Sequence, residues 1–213
     1  GMSWGYNINI DGSTTQDDGG LFLSSDSMGK VAINISQGGL ELSKAGALSA
    51  DGNRGSDSGY AEDMFEEWSA GDAPNIQYHT PADMLPFGIT AKIAYAPDLD
   101  QSYGSGNAGG AVSTKSNTFA GENATEIQVK AAPIDGLTIG ASYFDFSQDG
   151  VAKMDQNAES GAYYATYAQG AVSVGYSQAY RAERLETGSI VASDKATNID
   201  YYDQTNYSIA FAA

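Results

Sequence analysis

Apolar and polar residues alternate one by one through most of this chain, and a period of two confines it to strands with two different faces. Met2 to Ile10 places Trp4, Tyr6, Ile8 and Ile10 on one face and Ser3, Asn7 and Asn9 on the other. Residues 30–36, 75–80 and 87–96 alternate in the same way and read as three more strands. Gly20 to Ser25 is a shorter strand, followed at 26–29 by a turn in which Gly29 supplies the positive φ. Further on, Thr125, Ile127, Val129 and Ala131 share a face opposite Glu126, Gln128 and Lys130, and Leu137, Ile139, Ala141 and Tyr143 line up likewise. Residues 161–168 and 171–181 predict a hairpin about Gln169-Gly170, with Val172, Val174 and Tyr176 on one face. The last strand, 201–213, carries Tyr207, Ile209 and Phe211 on one side.

The connections narrow the fold further. Residues 11–19, 37–74, 97–123, 148–160 and 183–200 read as polar loops, whereas 26–29, 133–136, 169–170 and the short link before Phe87 read as turns. The expected architecture is therefore all-β, with about ten strands, about five long loops and about four tight turns in alternation. Strict alternation places the turns at one end and the loops at the other. An antiparallel meander of strands about 9 residues long, each with an apolar and a polar side, is the sequence pattern of a transmembrane β-barrel. No run approaches the ~18 consecutive apolar residues of a membrane helix, so a spanning structure would have to be a closed barrel. Of the 14 tyrosines, Tyr95, Tyr143, Tyr176 and Tyr207 fall near expected strand ends, which suits an interfacial girdle as well as ordinary β-propensity.

A chain of 213 residues is compatible with one all-β domain. Its formal charge of −17 and its ten scattered Lys and Arg argue against nucleic acid, which needs clustered cations for its phosphates. The absence of cysteine removes disulfide frameworks and thiol-ligated metals. His79 is the only histidine, so neither a zinc site nor a histidine-based hydrolytic centre is supported. Gly104 to Gly109 matches a dinucleotide-binding pattern by letter but lies among Gly and Ser with no helix after it. Asp51 to Asp57 lacks the acidic spacing and closing Glu of a calcium loop, and scattered carboxylate pairs do not make a glycosidase without a fixed separation. No enzyme activity, cofactor or metal is expected.

Residues 26–36, the long acidic segment after them, 75–81 and 89–97 together resemble the general porins of Gram-negative outer membranes. In that family a strand with a Phe-Gly or Met-Gly turn leads into an inward-folded third loop, followed by a strand of the type Ser-Val-Arg-Tyr-Asp-Ser-Pro and one ending Tyr-Ala-Pro. Residues 132–143 also look like a downstream porin hairpin. The resemblance covers nearly the whole chain in rhythm and residues 26–97 in motif, and the order of the motifs carries it. It implies an internal fragment of a barrel of roughly 16 strands. On this reading a signal peptide and first hairpin precede Gly1, about four strands follow the last one here, and the family's terminal aromatic residue is absent from Phe211-Ala-Ala213.

The function that the resemblance implies is passive diffusion of small hydrophilic solutes and ions across the outer membrane by a homotrimer surrounded by lipid. The loop 37–74 would fold into the lumen and set Glu62, Asp63, Glu66 and Glu67 at the constriction, with Met64, Phe65 and Trp68 as an apolar edge on the wall. An excess of loop carboxylates would make the pore weakly cation-selective. Lys30, His79, Lys92, Glu126 and Lys130 have the parity of the lumen wall. The competing expectation is a soluble or surface-displayed all-β binding protein of adhesin type, whose acidic loops hold cations or a partner, and in which the apolar face lines a buried core.

Overall fold

The alternating segments become strands because β-branched and aromatic side chains fit a pleated surface and only extended backbone sends successive side chains to opposite faces. In the computed structural model, which describes residues 1–9, 18–35, 74–97, 101–102, 118–119, 123–147, 154–156, 159–182, 185–186 and 201–211, fourteen strands follow one another. The first five are β1 (Met2–Asn9), β2 (Asp18–Ser25), β3 (Gly29–Ile35), β4 (Asn75–His79) and β5 (Thr90–Ala96). Next come β6 (Gln101–Ser102), β7 (Thr118–Phe119), β8 (Asn123–Ile134), β9 (Leu137–Ser147) and β10 (Met154–Gln156). The last four are β11 (Glu159–Gln169), β12 (Val172–Ala182), β13 (Leu185–Glu186) and β14 (Tyr201–Phe211).

Ten of these form one antiparallel meander in the order β1-β2-β3-β4-β5-β8-β9-β11-β12-β14. The sheet is open, with β1 and β14 as its edges. Two short ribbons, β6 with β7 and β10 with β13, stand inside segments expected to be wholly loop.

The turns correct the expected boundaries. Pro133 and Ile134 belong to β8 rather than to the turn, because a bulge between Ala131 and Ile134 accommodates a proline that cannot donate to the ladder. The turn itself is Asp135-Gly136, with Gly136 at φ 76°. Gln169 pairs with Val172, so the next turn is Gly170-Ala171. Between β4 and β5 the connection is a longer one over 80–89, not a tight turn, and β5 starts at Thr90 instead of Phe87. Phe87 (φ 61°) and Gly88 (φ 64°) are both left-handed, and the Ile89 amide donates to the Pro86 carbonyl at 3.2 Å, which closes a type I′-like turn.

The two faces of the sheet invert the usual polarity of a protein. Val31, Ile33, Ile93, Ile127, Val129, Ile139, Val172 and Val174 are exposed on one face, as are Trp4 (76%), Ile209 and Phe211. Ile89 departs from the expected outward set, since it is half-buried in the connection; the side chain of Ile35 lies outside the described residues. On the opposite face Asn75, Gln77, Glu126, Gln128, Ser160 and Ser177 are buried, together with small or aromatic residues such as Ala94, Ala124, Phe144 and Tyr164. No second sheet covers the apolar face among the described residues.

Tyrosine positions differ from the girdle expectation. Tyr95 does end its strand, but Tyr176 and Tyr207 sit in the middle of β12 and β14 with ring centroids 5.3 Å apart. Tyr163 and Tyr176 both donate their hydroxyls to the Gln178 side chain, so these phenols find partners within the sheet instead of at a strand end. The Tyr143 hydroxyl donates to Glu159 at 2.8 Å. Glu159 and Asp145, directly paired, are the only charged side chains described on the apolar face, and both lie toward the long-loop end.

Strand ends are staggered against the hydrogen-bond rows. One row runs Lys30, His79, Lys92, Gln128, Ser142, Ala162, Ala179. Along it Lys30 is one residue beyond Gly29, Ser142 five beyond Leu137 and Ala179 seven beyond Val172, each counted from the first residue after the strand's own turn. Four strand steps separate β3 from β9 and two more reach β12, so the turns recede by one residue per strand throughout.

Candidate functional site

Parity and register together assemble the polar face. Lys30 on β3, His79 on β4 and Lys92 on β5 are direct cross-strand neighbours, which puts successive side chains about 5 Å apart. Lys130 on β8 pairs with Thr90, diagonal to Lys92, and Glu126 pairs with Ala94 on the other diagonal. Lys30 and Lys92 are within electrostatic reach of His79, and Lys30, Lys130 and Glu126 within reach of Lys92. All five wall residues expected from parity therefore share one face, and the three lysines form one basic group centred on Lys92.

Neutral polar groups surround that group. His79 Nε2 lies 2.8 Å from Gln77 Oε1, and the Gln77 amide donates to Asn75 Oδ1 at 2.9 Å. Because Gln77 presents its oxygen to His79, the imidazole is the donor there, and its Nε2 carries the proton. Asn34 Nδ2 also donates to Asn75 Oδ1, at 3.2 Å, so the chain of bonds crosses from β4 to β3. On the far side Ser3 and Ser24 share a hydroxyl bond of 2.7 Å. Lys30 Nζ stands 5.2 Å from the centroid of the Phe22 ring, a cation–π contact that leans this ammonium toward β2.

Charge is unevenly divided between the two faces. A chain of net charge −17 presents three lysines on its polar face against one described carboxylate, Glu126, which is buried. Asp26, Asp83 and Asp135 are exposed at the turn end of the sheet. Among the described residues the polar face offers a hydrogen-bonding, positively charged surface.

Glu62, Asp63, Glu66 and Glu67, with Met64, Phe65 and Trp68, lie outside the described residues. Reading by parity alone missed Gln77 and Asn75 as the hydrogen-bonded chain beside His79, Gln128 as the cross-strand neighbour of Lys92, and Phe22 as the ring beside Lys30. Their alternation was visible, but which of them stand beside a lysine is a matter of register, which depends on the whole run of strands. A search of protein-family models and a search of curated proteins find no match to this chain.

Proposed function

We propose that this chain forms the wall of a porin-type diffusion channel in the outer membrane, allowing passive passage of small hydrophilic solutes and ions. The observation that carries the reading is the inverted polarity of the sheet: Val, Ile and Leu exposed on one face, and Asn75, Gln77, Glu126 and Gln128 buried on the other. A barrel in lipid needs an apolar outside and tolerates a polar inside. Two further features fit. A stagger of one residue per strand is the ratio of an eight-stranded barrel of shear 8, whose strands tilt by about 36°, and transmembrane strands tilt by about 35–45°. Strands of 11 residues such as β11 and β12 have the length that such a tilt requires to cross the hydrocarbon layer. The carboxylates of Asp145 and Glu159 stand only at the loop end of the apolar face, at the level of a headgroup layer.

Closure of the sheet, by further strands between β14 and β1, trimerisation and a weak preference for cations are parts of the same proposal. The last rests on Glu62, Asp63, Glu66 and Glu67 projecting into the passage. A second reading, a surface-displayed all-β binding protein, is favoured by the two open edges. Reconstitution of the full-length protein into a planar bilayer decides between them. Discrete current steps, with heat-modifiable migration in detergent, are the expected result. A folded protein that is soluble without detergent and passes no current would overturn the channel.

A further inference from the structure

Three of the four connections at the turn end are as short as hairpins allow: three residues between β2 and β3, two between β8 and β9, and two between β11 and β12. The fourth, between β4 and β5, takes ten, 80–89. It is tied to the sheet and to the turn beside it, because the Thr80 amide donates to the Ala91 carbonyl at 2.9 Å and the Tyr78 hydroxyl donates to the Met28 carbonyl at 3.0 Å. Met28, Met84 and Phe87 are each more than half exposed there. Phe87 is the only described non-glycine residue at positive φ, where a bulky side chain is a poor fit and Asn or Gly would close the same turn without strain. A strained residue that holds its ring in the open points to a use for the ring.

Charge narrows what could cover these side chains. Residues 26–29, 80–89, 135–136 and 169–171 contain Asp26, Asp83 and Asp135, all exposed, and no Lys, Arg or His. Lys30 and Lys130 lie on neighbouring strands but face the polar side. An apolar strip that seats in a lipid surface is ordinarily rimmed by Lys and Arg, which meet the phosphates. A rim of carboxylates suits the opposite, a partner that is itself basic.

We propose that Met28, Met84 and Phe87, with Asp26, Asp83 and Asp135 around them, form a docking surface for a basic polypeptide segment that carries aromatic or aliphatic anchors. Phe87 is held by its turn and loses little freedom on binding, whereas the two methionines adapt to the shape that meets them. On the channel reading short turns face the periplasm, which puts the partner there; the surface itself stands without that reading.

The probe is a short fluorescent amphipathic peptide of Lys and Leu with one Trp, beside a twin with Glu in place of Lys. Anisotropy is read with the full-length protein in phosphatidylcholine nanodiscs, against empty discs. The Lys peptide should bind saturably and the Glu peptide should not. Phe87→Asn together with Met84→Ser should weaken binding at least about tenfold, as loss of a central anchor does. Asp26→Asn, Asp83→Asn and Asp135→Asn together should weaken it and flatten its salt dependence. Heat-modifiable migration shows that each variant is folded. Binding left unaltered by the Phe87 and Met84 changes would mean that the bulk acidity of the chain captures the peptide, and no binding by the parent would equally overturn the surface. Lipid is tested in the same discs: this chain has no cysteine, so a nitroxide on Phe87→Cys reports one position. Faster collision with oxygen than with a water-soluble nickel complex puts residue 87 in lipid and sinks the proposal. If the protein passes no current and stays soluble without lipid, the channel fails, and the anisotropy repeated in buffer still judges the surface.

Discussion

The ring of Tyr164 lies across Gly140, its direct partner on the neighbouring strand, and a Cβ built at residue 140 would stand 2.7 Å from Tyr164 Cζ and 2.9 Å from its hydroxyl oxygen. Phe22 covers Gly5 in the same manner on the same face, and Tyr180 covers Gly161 on the apolar face. A glycine within a strand leaves backbone bare and packs nothing; an aromatic ring laid over it restores the contact and keeps the ring against the sheet. On the polar face this holds two bulky rings against the sheet.

Replacing Gly140 by Ala should therefore destabilise the fold by about 1–3 kcal/mol, because the Tyr164 ring must lift away from the strand. The same change in a Tyr164→Ala background should cost less, since the obstructing atoms are gone. Urea titration of refolding into vesicles for the four members of this cycle gives the coupling. Equal costs in both backgrounds would show that the ring does not rest on Gly140.

Two glycines in turns should be less tolerant still. Gly29 (φ 80°) and Gly136 (φ 76°) are left-handed, and a Cβ on either would press into a backbone carbonyl, of His79 and Ala168 respectively. Each Gly→Ala change should cost about 1–3 kcal/mol of backbone strain, with the steric conflict in addition. Phe87 offers the opposite experiment, because it holds φ 61° with its side chain exposed. Phe87→Asn should be neutral or stabilising by up to about 1 kcal/mol, as Asn enters the left-handed region more readily. Thermal or urea midpoints of the three variants test the contrast, and a marked loss of stability on Phe87→Asn would mean that its ring has a partner.

A charge placed in the middle of the apolar face separates lipid from water. Ile127 is 40% exposed near the centre of β8. If this face meets hydrocarbon, Ile127→Lys should weaken folding into vesicles by about 2–4 kcal/mol. In a sheet exposed to water the same substitution should fall within about 0.5 kcal/mol of the parent. The urea midpoint of the reconstituted protein distinguishes the two.

Selectivity should respond to the acidic groups in one direction. Neutralising Glu62, Asp63, Glu66 and Glu67 together should shift the zero-current potential under a salt gradient toward anions, and the shift should shrink at high salt as screening shortens to a few ångströms. Glu126→Gln should act in the same direction but more weakly, because this carboxylate is buried beside Lys92. A loop variant with an unchanged potential would place those four residues away from the constriction.

Alternation alone determined that this chain is a meander of two-faced strands, and it sorted Val31, Ile93, Ile127 and Val174 onto one face and Lys30, His79, Lys92, Glu126 and Lys130 onto the other. It could do so because side-chain direction in a strand is a local property with a period of two. Tertiary structure decided what depends on pairing between distant segments. The bulge that draws Pro133 into β8, the left-handed Phe87, the contact of β10 with β13 and the placing of Lys92 between Lys30 and Lys130 all follow from register. Register is set by the sum of cross-strand contacts and turn geometry along the whole sheet, and no single window of sequence contains that sum. The polarity of each strand is thus written locally, whereas the charged surface that the strands build together exists only once they are aligned.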